Sequence, residues 1–295
     1  MDFLLSYRSL FDIFLLHLGL AYSQYLVKRA GVFSIGTAGF AAIGAYVTAI
    51  GVVRFGVSPF LVVPIAALAG LCFGLLLSLP LARLRGVYQA IASLAFVQIV
   101  VSFNFYAEHW TGGAQGFGGI PKLVGTGTLL IAAAATFYLI YALSQTRIGR
   151  AFDAAREDEA MASSLGVNVS WFQALAFGLS GLIAGLFGGL EALHSYAIEP
   201  NQFGFNLIIV VLSYVVFGGR KSIWGPLVGT AILVALPEIS RPLAEQRMLI
   251  YGALLMLIMN FMPRGVVDTI IEYRANRKAA KEKSHSAGTE QAVTK

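Results

Sequence analysis

Apolar residues run along this chain in long, nearly unbroken stretches, with no alternation of the kind that marks a half-buried strand. A helix needs about 20 consecutive apolar residues to cross ~30 Å of hydrocarbon. Stretches of that kind fall at 8–27, 31–52, 59–80, 87–107, 127–145, 171–193, 206–219, 223–239 and 247–263. The pattern predicts an all-α integral membrane protein, a polytopic bundle of about nine transmembrane helices with bounds of roughly eight to ten. The first stretch carries Asp12, His17 and Gln24, so it is amphipathic and the least suited of the nine to face lipid. The stretches 206–219 and 223–239 are short and meet at Gly218-Gly219-Arg220-Lys221, which suits tilted helices or a partly re-entrant pair. One transmembrane domain over 1–270 accounts for the pattern, followed by a polar tail over 271–295 whose composition is that of a disordered cytoplasmic segment.

Composition agrees with the pattern. Hydrophobic residues make up 57% of the 295 and charged ones 12%, against roughly 25% charged in a soluble domain. The net charge of +6 raises the question of nucleic acid, and the placement of the charges argues against it. Lys28 and Arg29, Arg83 and Arg85, Arg147, Arg150 and Arg156, and then Arg220 and Lys221 fall in alternate loops. Arg264 and the tail residues Arg274, Arg277, Lys278, Lys281 and Lys283 continue the alternation. The intervening loops carry only Arg54, Lys122 and Arg241. The positive-inside rule then predicts a cytoplasmic C-terminus and an external N-terminus. A single cysteine, Cys72, excludes an intrachain disulfide. The first apolar stretch lacks a small-residue cleavage site, so no cleavable signal peptide is expected.

Small residues recur at helical spacing. Gly181, Gly185 and Gly189 lie four apart, beside a stripe of Ala176, Ser180, Ala184, Gly188 and Ala192. Thr37, Ala41, Ala45 and Ala49 do the same in the second stretch, and Gly225 and Gly229 in the eighth. Such faces let two helix backbones approach closely in a bilayer, so tight packing is the first expectation, with sliding during transport as the sharper one. Polar residues inside the stretches are His17, Gln24, Gln89, Gln98, Asn104, Glu191, His194 and Glu238. Glu191 and His194 share a helix face near the outer end of theirs, where contact with water explains them better than a metal does. Gln89 and Gln98 are nine apart and face opposite ways. No catalytic constellation assembles and no cofactor is expected.

The segment 146–170 is too polar to span and too short for a domain. Its residues 150–165 favour one helix, with Gly166 placed to terminate it in a left-handed conformation. A solvated connector and a docking helix for a soluble partner are both open. The glycine-rich stretch Thr111 to Pro121 lacks the Lys-Ser/Thr ending of a phosphate-cradling loop and reads as an external turn.

These motifs, in order, resemble a known family. Gly149-Arg150-Ala151, then Ala155, Arg156-Glu157, Glu159, Ala160 and Gly166, is similar to the cytoplasmic signature loop of permeases of ATP-binding-cassette importers. Ser34-Ile35-Gly36 through Ala38-Gly39-Phe40, and Gly44-Ala45-Tyr46, resemble the opening of the branched-chain amino-acid permeases. Arg83 to Tyr88 with Ala90 and Ser93-Leu94, then Thr111-Gly112-Gly113, Gly116 and Gly119-Ile120-Pro121, continue the resemblance. So do Gly218-Gly219, Gly225-Pro226 and Pro263-Arg264-Gly265. The resemblance covers roughly 11–266, with Ser93 standing where the family often has Thr.

The resemblance implies a permease subunit without its own ATPase site, in a bacterial or archaeal cytoplasmic membrane. It would pair with a homologous permease and two ATP-binding subunits. A periplasmic or lipid-anchored binding protein would deliver branched-chain amino acids or related small solutes. The segment 150–165 would be the coupling helix, and Thr111, Gly112, Gly113, Gly119 and Pro121 would meet an external partner. An ion-coupled transporter is the alternative. It predicts carboxylates at the bilayer midplane, whereas Asp12, Glu191 and Glu238 lie towards the ends of their stretches.

Overall fold

The computed structural model describes residues 2–239 together with 252, 256, 265–269 and 273. The expected span 247–263 and the polar tail, isolated positions apart, lie outside the described residues.

The apolar stretches within the described residues are helices. They are α1 (Asp2–Arg29), α2 (Thr37–Val53), α3 (Pro59–Leu81) and α4 (Val87–Tyr106), a short α5 (Glu108–Thr111), then α6 (Thr126–Gln145). Two polar helices follow, α7 (Arg147–Glu157) and α8 (Glu159–Ser164). The apolar α9 (Val169–His194), α10 (Phe205–Gly218) and α11 (Trp224–Ile239) complete the described set. A two-residue antiparallel ladder joins β1 (Phe117–Gly118) to β2 (Ala197–Ile198). In hydrocarbon every backbone amide must find its partner inside the chain, which is why such stretches become helices whatever their intrinsic propensity. Among the described residues, six are long and apolar enough to cross a membrane: Arg8–Arg29, Pro59–Leu81, Val87–Tyr106, Thr126–Gln145, Val169–His194 and Pro200–Gly218. Thr37–Val53 and Trp224–Leu236 are apolar and shorter. The span ending at Gly218 reaches that length because a 3-10 turn, Pro200–Phe203, leads into α10.

Two helices, α1 and α9, form the centre. From Leu18 to Ala30 every residue of α1 and its end is buried, which explains how it carries Gln24 and Ser23 at all. The expectation that this helix is ill-suited to lipid is met by enclosure: α9, α6, α11 and α10 surround it. Ser23 Oγ lies 2.8 Å from Ser180 Oγ and donates to the Ser180 carbonyl at 2.9 Å, joining α1 to α9. Helices α3, α4 and α6 are peripheral, with Phe60, Leu76, Leu79, Ile99, Phe103, Ile131 and Tyr138 turned outward.

The small-residue stripes are a packed seam. A Cβ on Gly185 would lie 2.6 Å from the Ala66 carbonyl oxygen, and one on Gly189 2.6 Å from Thr48 Oγ1. A Cβ on Gly181 or Gly70 would strike the other's carbonyl, one on Gly44 the Gly185 carbonyl, and one on Gly188 the Ala41 carbonyl. Thus α9 presses one face on α2 and the adjoining face on α3, backbone to backbone. The eighth stretch behaves alike: Gly218 meets Gly225, and Gly229 meets the Tyr214 carbonyl, bringing α10 and α11 together.

Replacing Gly185 by Leu drives a branched side chain into that seam, and overpacking typically costs about 1–3 kcal/mol or more. We expect a lower melting temperature in detergent and a lower yield of folded protein. A variant as stable as the parent would show that the helices are not in contact there.

Candidate functional site

The polar elements gather at one end of the bundle. Helix α7 starts at Thr146, whose Oγ1 accepts from Ile148 N at 3.2 Å. It ends at Asp158, which turns the chain to extended backbone and then caps α8, Oδ1 accepting from Ala160 N at 2.8 Å and Met161 N at 3.0 Å. The single helix expected over 150–165 is therefore two. A short carboxylate in mid-segment offers the next amides a better partner than the helix carbonyls do. Gly166, at φ +84°, terminates α8 as expected, with Val167 N donating to the Ala162 carbonyl and Gly166 N to that of Ser163, both at 3.0 Å.

One face of α7 is buried: Gly149, Ala151, Phe152 and Ala155. Phe152 is fully enclosed and meets Phe172 of α9 edge to face at 6.2 Å. A Cβ on Gly149 would lie 2.6 Å from the Leu143 carbonyl oxygen, so the helix turns tightly under α6. Ala155 is 2% exposed and lies against the turn after α1, so its small size already serves this chain's own packing. Arg150, Glu157 and Ala160 are exposed, as are the large apolar side chains of Met161 and Leu165, at 65% and 75%.

Charged residues from four separate segments converge here. Arg29, at the end of α1 and itself buried, grips Asp153 of α7 with both prongs, Nε to Oδ1 at 3.0 Å and Nη2 to Oδ2 at 2.8 Å. Arg156 adds a contact to Asp153 at 3.6 Å and to Glu157 at 3.3 Å. Lys221, between α10 and α11, reaches Glu157 at 3.6 Å, and Arg85, between α3 and α4, reaches Glu159 at 3.6 Å. Asp268 lies at the edge of this cluster, accepting from the amides of Lys221 (2.9 Å) and Ser222 (3.0 Å). Glu159 also accepts from Gln173 Nε2 at 3.0 Å, at the wall of a polar cavity of 200 Å³ between α8, the start of α9 and the α3–α4 loop.

Directly inside this cluster the chain is not helical. Gly31 ends α1 at φ +81° with its position backed by Arg156 Cα, 3.0 Å from where a Cβ would stand. Residues 32–35 then carry no regular structure, and Gly36, at φ −74° and ψ −7°, leads into α2; Val32, Ser34 and Gly36 are buried. Three amides here are held by side chains: Phe33 N by Gln89 Oε1 at 3.4 Å, Ile35 N by Ser93 Oγ at 3.0 Å, and Gly36 N by Ser34 Oγ at 3.2 Å. Gln24 Nε2 donates to the Ser34 carbonyl at 2.6 Å and its Oε1 accepts from Thr37 Oγ1 at 2.7 Å. Ser34, Gly36 and Thr37 thus belong to a buried polar junction of α1, α2 and α4. Gly39 faces Phe96 of α4, while Ala41 and Ala45 are buried, Ala41 against α9.

The opposite end carries the glycine-rich loop. Thr111 is buried and donates to the Asn104 carbonyl at 2.6 Å. Gly112 and the buried Gly113 shape the turn, whereas Gly119 and Pro121 are exposed. The β1–β2 ladder fastens this loop to the segment after α9, and the Ile120 amide donates to the Tyr196 carbonyl at 3.1 Å. Arg54 donates to the His109 carbonyl and lies over the Trp110 ring at 5.2 Å from its centre. Glu191 accepts from Gln202 at 3.4 Å, near this end of α9.

Sequence reasoning missed the Arg29–Asp153 pair and the joint service of Gln24, Gln89 and Ser93. Arg29 reads as a charge marking a loop, and its partner lies 124 positions away. The usable signal was the cost of Gln24 and Gln89 within apolar stretches, since such residues need partners.

Comparison with known proteins adds a second line. The family model for the permease component of branched-chain amino acid transport systems matches residues 9–259. The high-affinity branched-chain amino acid transport system permease protein LivM of Salmonella typhimurium is 30% identical over 90% of this chain and 69% of its own length. LivM of Escherichia coli is 30% identical, over 82% of this chain and 65% of its own length. The probable branched-chain amino acid transport permease protein LivH of Methanocaldococcus jannaschii is 26% identical over 74% of each. The chain therefore spans about two thirds of the LivM length. No solved structure gives a significant match.

Removing the hydroxyl of Ser93 leaves the Ile35 amide without its acceptor, and an unsatisfied buried donor costs roughly 1–3 kcal/mol. Ser93→Ala should lower thermal stability in detergent and speed hydrogen exchange at Ile35. Gln98→Ala, at an exposed position of the same helix, should do neither. Equal behaviour of the two variants would contradict the junction.

Proposed function

Since this chain belongs to the family of permease components of branched-chain amino acid transport systems, we propose that it carries branched-chain amino acids or related small solutes across a cytoplasmic membrane, coupled through α7 and α8 to ATP hydrolysis in partner subunits. The chain is a membrane permease subunit of an importer. The complete machine we propose contains a homologous permease, two ATP-binding subunits and an extracytoplasmic binding protein. The relatives give no support to an ion-coupled transporter.

The observation that carries this reading is the convergence around α7 and α8. The loops richest in Lys and Arg meet these two helices at one end of the bundle through Arg29, Arg85 and Lys221. A single cationic end supports a cytoplasmic assignment for that end, by the positive-inside rule. The loop 108–126 then faces outward, and Gly119 and Pro121 are its exposed candidates for meeting a binding protein. Asp268 lies beside Lys221, so the chain beyond α11 is back at the cationic end. That return supports a cytoplasmic C-terminus and a span total near the sequence-derived nine.

Within the site, roles divide by exposure. Gly149 and Ala155 seat α7 on the bundle. Arg150, Glu157, Ala160 and the apolar pair Met161 and Leu165 form the face offered to an ATP-binding subunit. Arg156 and Glu159 are held inward by Asp153 and Gln173 and orient that face. Gly166 sets the return into α9.

Two measurements check this reading. In a Cys72→Ala background, an impermeant thiol reagent added outside intact spheroplasts should label Ala114→Cys and leave Ser164→Cys untouched. The reverse pattern would invert the orientation. Met161→Glu with Leu165→Glu should abolish co-purification of the ATP-binding subunits without lowering the melting temperature, because both side chains already face solvent. Full assembly of that double variant would remove α8 from the interface.

A further inference from the structure

The end of α1, helix α7 and the unwound stretch 31–36 form one connected body. Arg29 holds Asp153 in a two-pronged pair, its side chain 9% exposed against 40% for the carboxylate. Two residues on, Gly31 lies on the backbone of Ala155 and Arg156, too close for any side chain at that position to pass unnoticed. Beyond Gly31 the backbone leaves the helix, and Phe33, Ile35 and Gly36 depend on side chains for their amide partners. This stretch is where the α1–α2 connection bends most cheaply. Its hydrogen bonds come from rotatable Gln89, Ser93 and Ser34 side chains rather than from a helical ladder. Beyond it, α2 runs locked to α9 along Gly44, Ala41, Gly185 and Gly188.

We propose that the Arg29–Asp153 pair is the latch through which displacement of α7 reaches the α1–α2 junction, and that Arg29 is a positioning residue for transport. The inference rests on the reading that α7 and α8 meet an ATP-binding subunit. Among the ion pairs of α7 and α8, the geometry favours Arg29. Lys221 and Glu157 are both exposed, and Arg85 is 84% exposed, so those pairs are screened and yield under load. Arg29 is buried, its planar fork fixes the direction of pull as well as the distance, and it is rooted in the central helix. A push on α7 therefore moves the end of α1 and Gly31 together, and the first compliant element it meets is 31–36.

The test uses the whole importer in proteoliposomes: this permease, its paired permease, the ATP-binding subunits and the binding protein, with radiolabelled L-leucine as probe. Arg29→Met combined with Asp153→Leu replaces the pair by apolar groups of similar size and leaves no charge unpaired, an exchange that folded proteins commonly tolerate. The double variant should assemble and hydrolyse ATP like the parent while taking up less leucine, so that ATP consumed per leucine rises about 3- to 30-fold. Arg29→Lys keeps the charge and loses the fork, and should give an intermediate ratio. A merely structural pair would change the amount of assembled complex and leave that ratio alone. An unchanged ratio in the double variant, or in Arg29→Lys should the double variant fail to accumulate, overturns the latch. If the parent chain itself fails to co-purify with ATP-binding subunits, the functional reading fails first and the latch falls with it.

Discussion

The architecture depends on how closely α9 approaches α2 and α3. Lipid tails are as apolar as leucine, so burying a leucine between two helices gains little over leaving it in the bilayer. What holds a bundle together there is contact density, and backbones touch best where side chains are missing. Gly44 on α2 and Gly70 on α3 face Gly185 and Gly181 with carbonyl oxygens where a methyl would stand. Contacts of Cα hydrogens with carbonyl oxygens become available at that range. With α9 fixed against two neighbours, its other faces receive α1, through the Ser23–Ser180 bridge and Phe187 over Gly19.

Enclosure of α1 has a chemical consequence. A helix enclosed on all sides, as α1 is from Leu18 onward, can carry groups a lipid-facing helix could not, and this half carries Ser23, Gln24 and a buried Arg29. Each is spoken for. Gln24 uses both ends of its amide, on the Ser34 carbonyl and the Thr37 hydroxyl. The same logic lets 32–36 run without helical hydrogen bonds at a buried depth, since irregular backbone survives in a membrane protein where protein groups satisfy it. Gln89 and Ser93 of α4 supply what the missing helix would have supplied.

Much of the fold was legible in the sequence because its dominant constraint is one-dimensional. Hydrophobic length sets where helices lie, and the Gly181/Gly185/Gly189 period names the face that packs. Gly166 could be read as a terminator since a left-handed residue after a helix is a local need. The break at Asp158 was equally local and still escaped notice: helix propensity over 150–165 outweighed, on paper, one carboxylate whose reach to Ala160 and Met161 decided the matter. The Arg29–Asp153 pair was illegible for a different reason. Nothing in the neighbourhood of either residue announces the other, because the contact exists only once α1 and α7 are brought together by the helices between them. Thr111 illustrates a third limit, since a residue in a loop expected to meet a partner can be inward-facing and committed to its own turn.

The glycine seam also bears on how the chain can be made. Its two sides lie on opposite flanks of α4 through α8, so α2 and α3 leave the ribosome and enter the bilayer well before α9 is synthesised. Synthesis is N-terminal first. Until α9 arrives, the grooves at Gly44 and Gly70 have lipid or the insertion machinery against them, and α1, already inserted, waits with Ser23 short of its partner Ser180. Arrival of one late helix thus closes the contacts of three early ones. A chain truncated before Val169 would be left with membrane segments that have length enough to insert but lack the surface on which α1, α2 and α3 all settle.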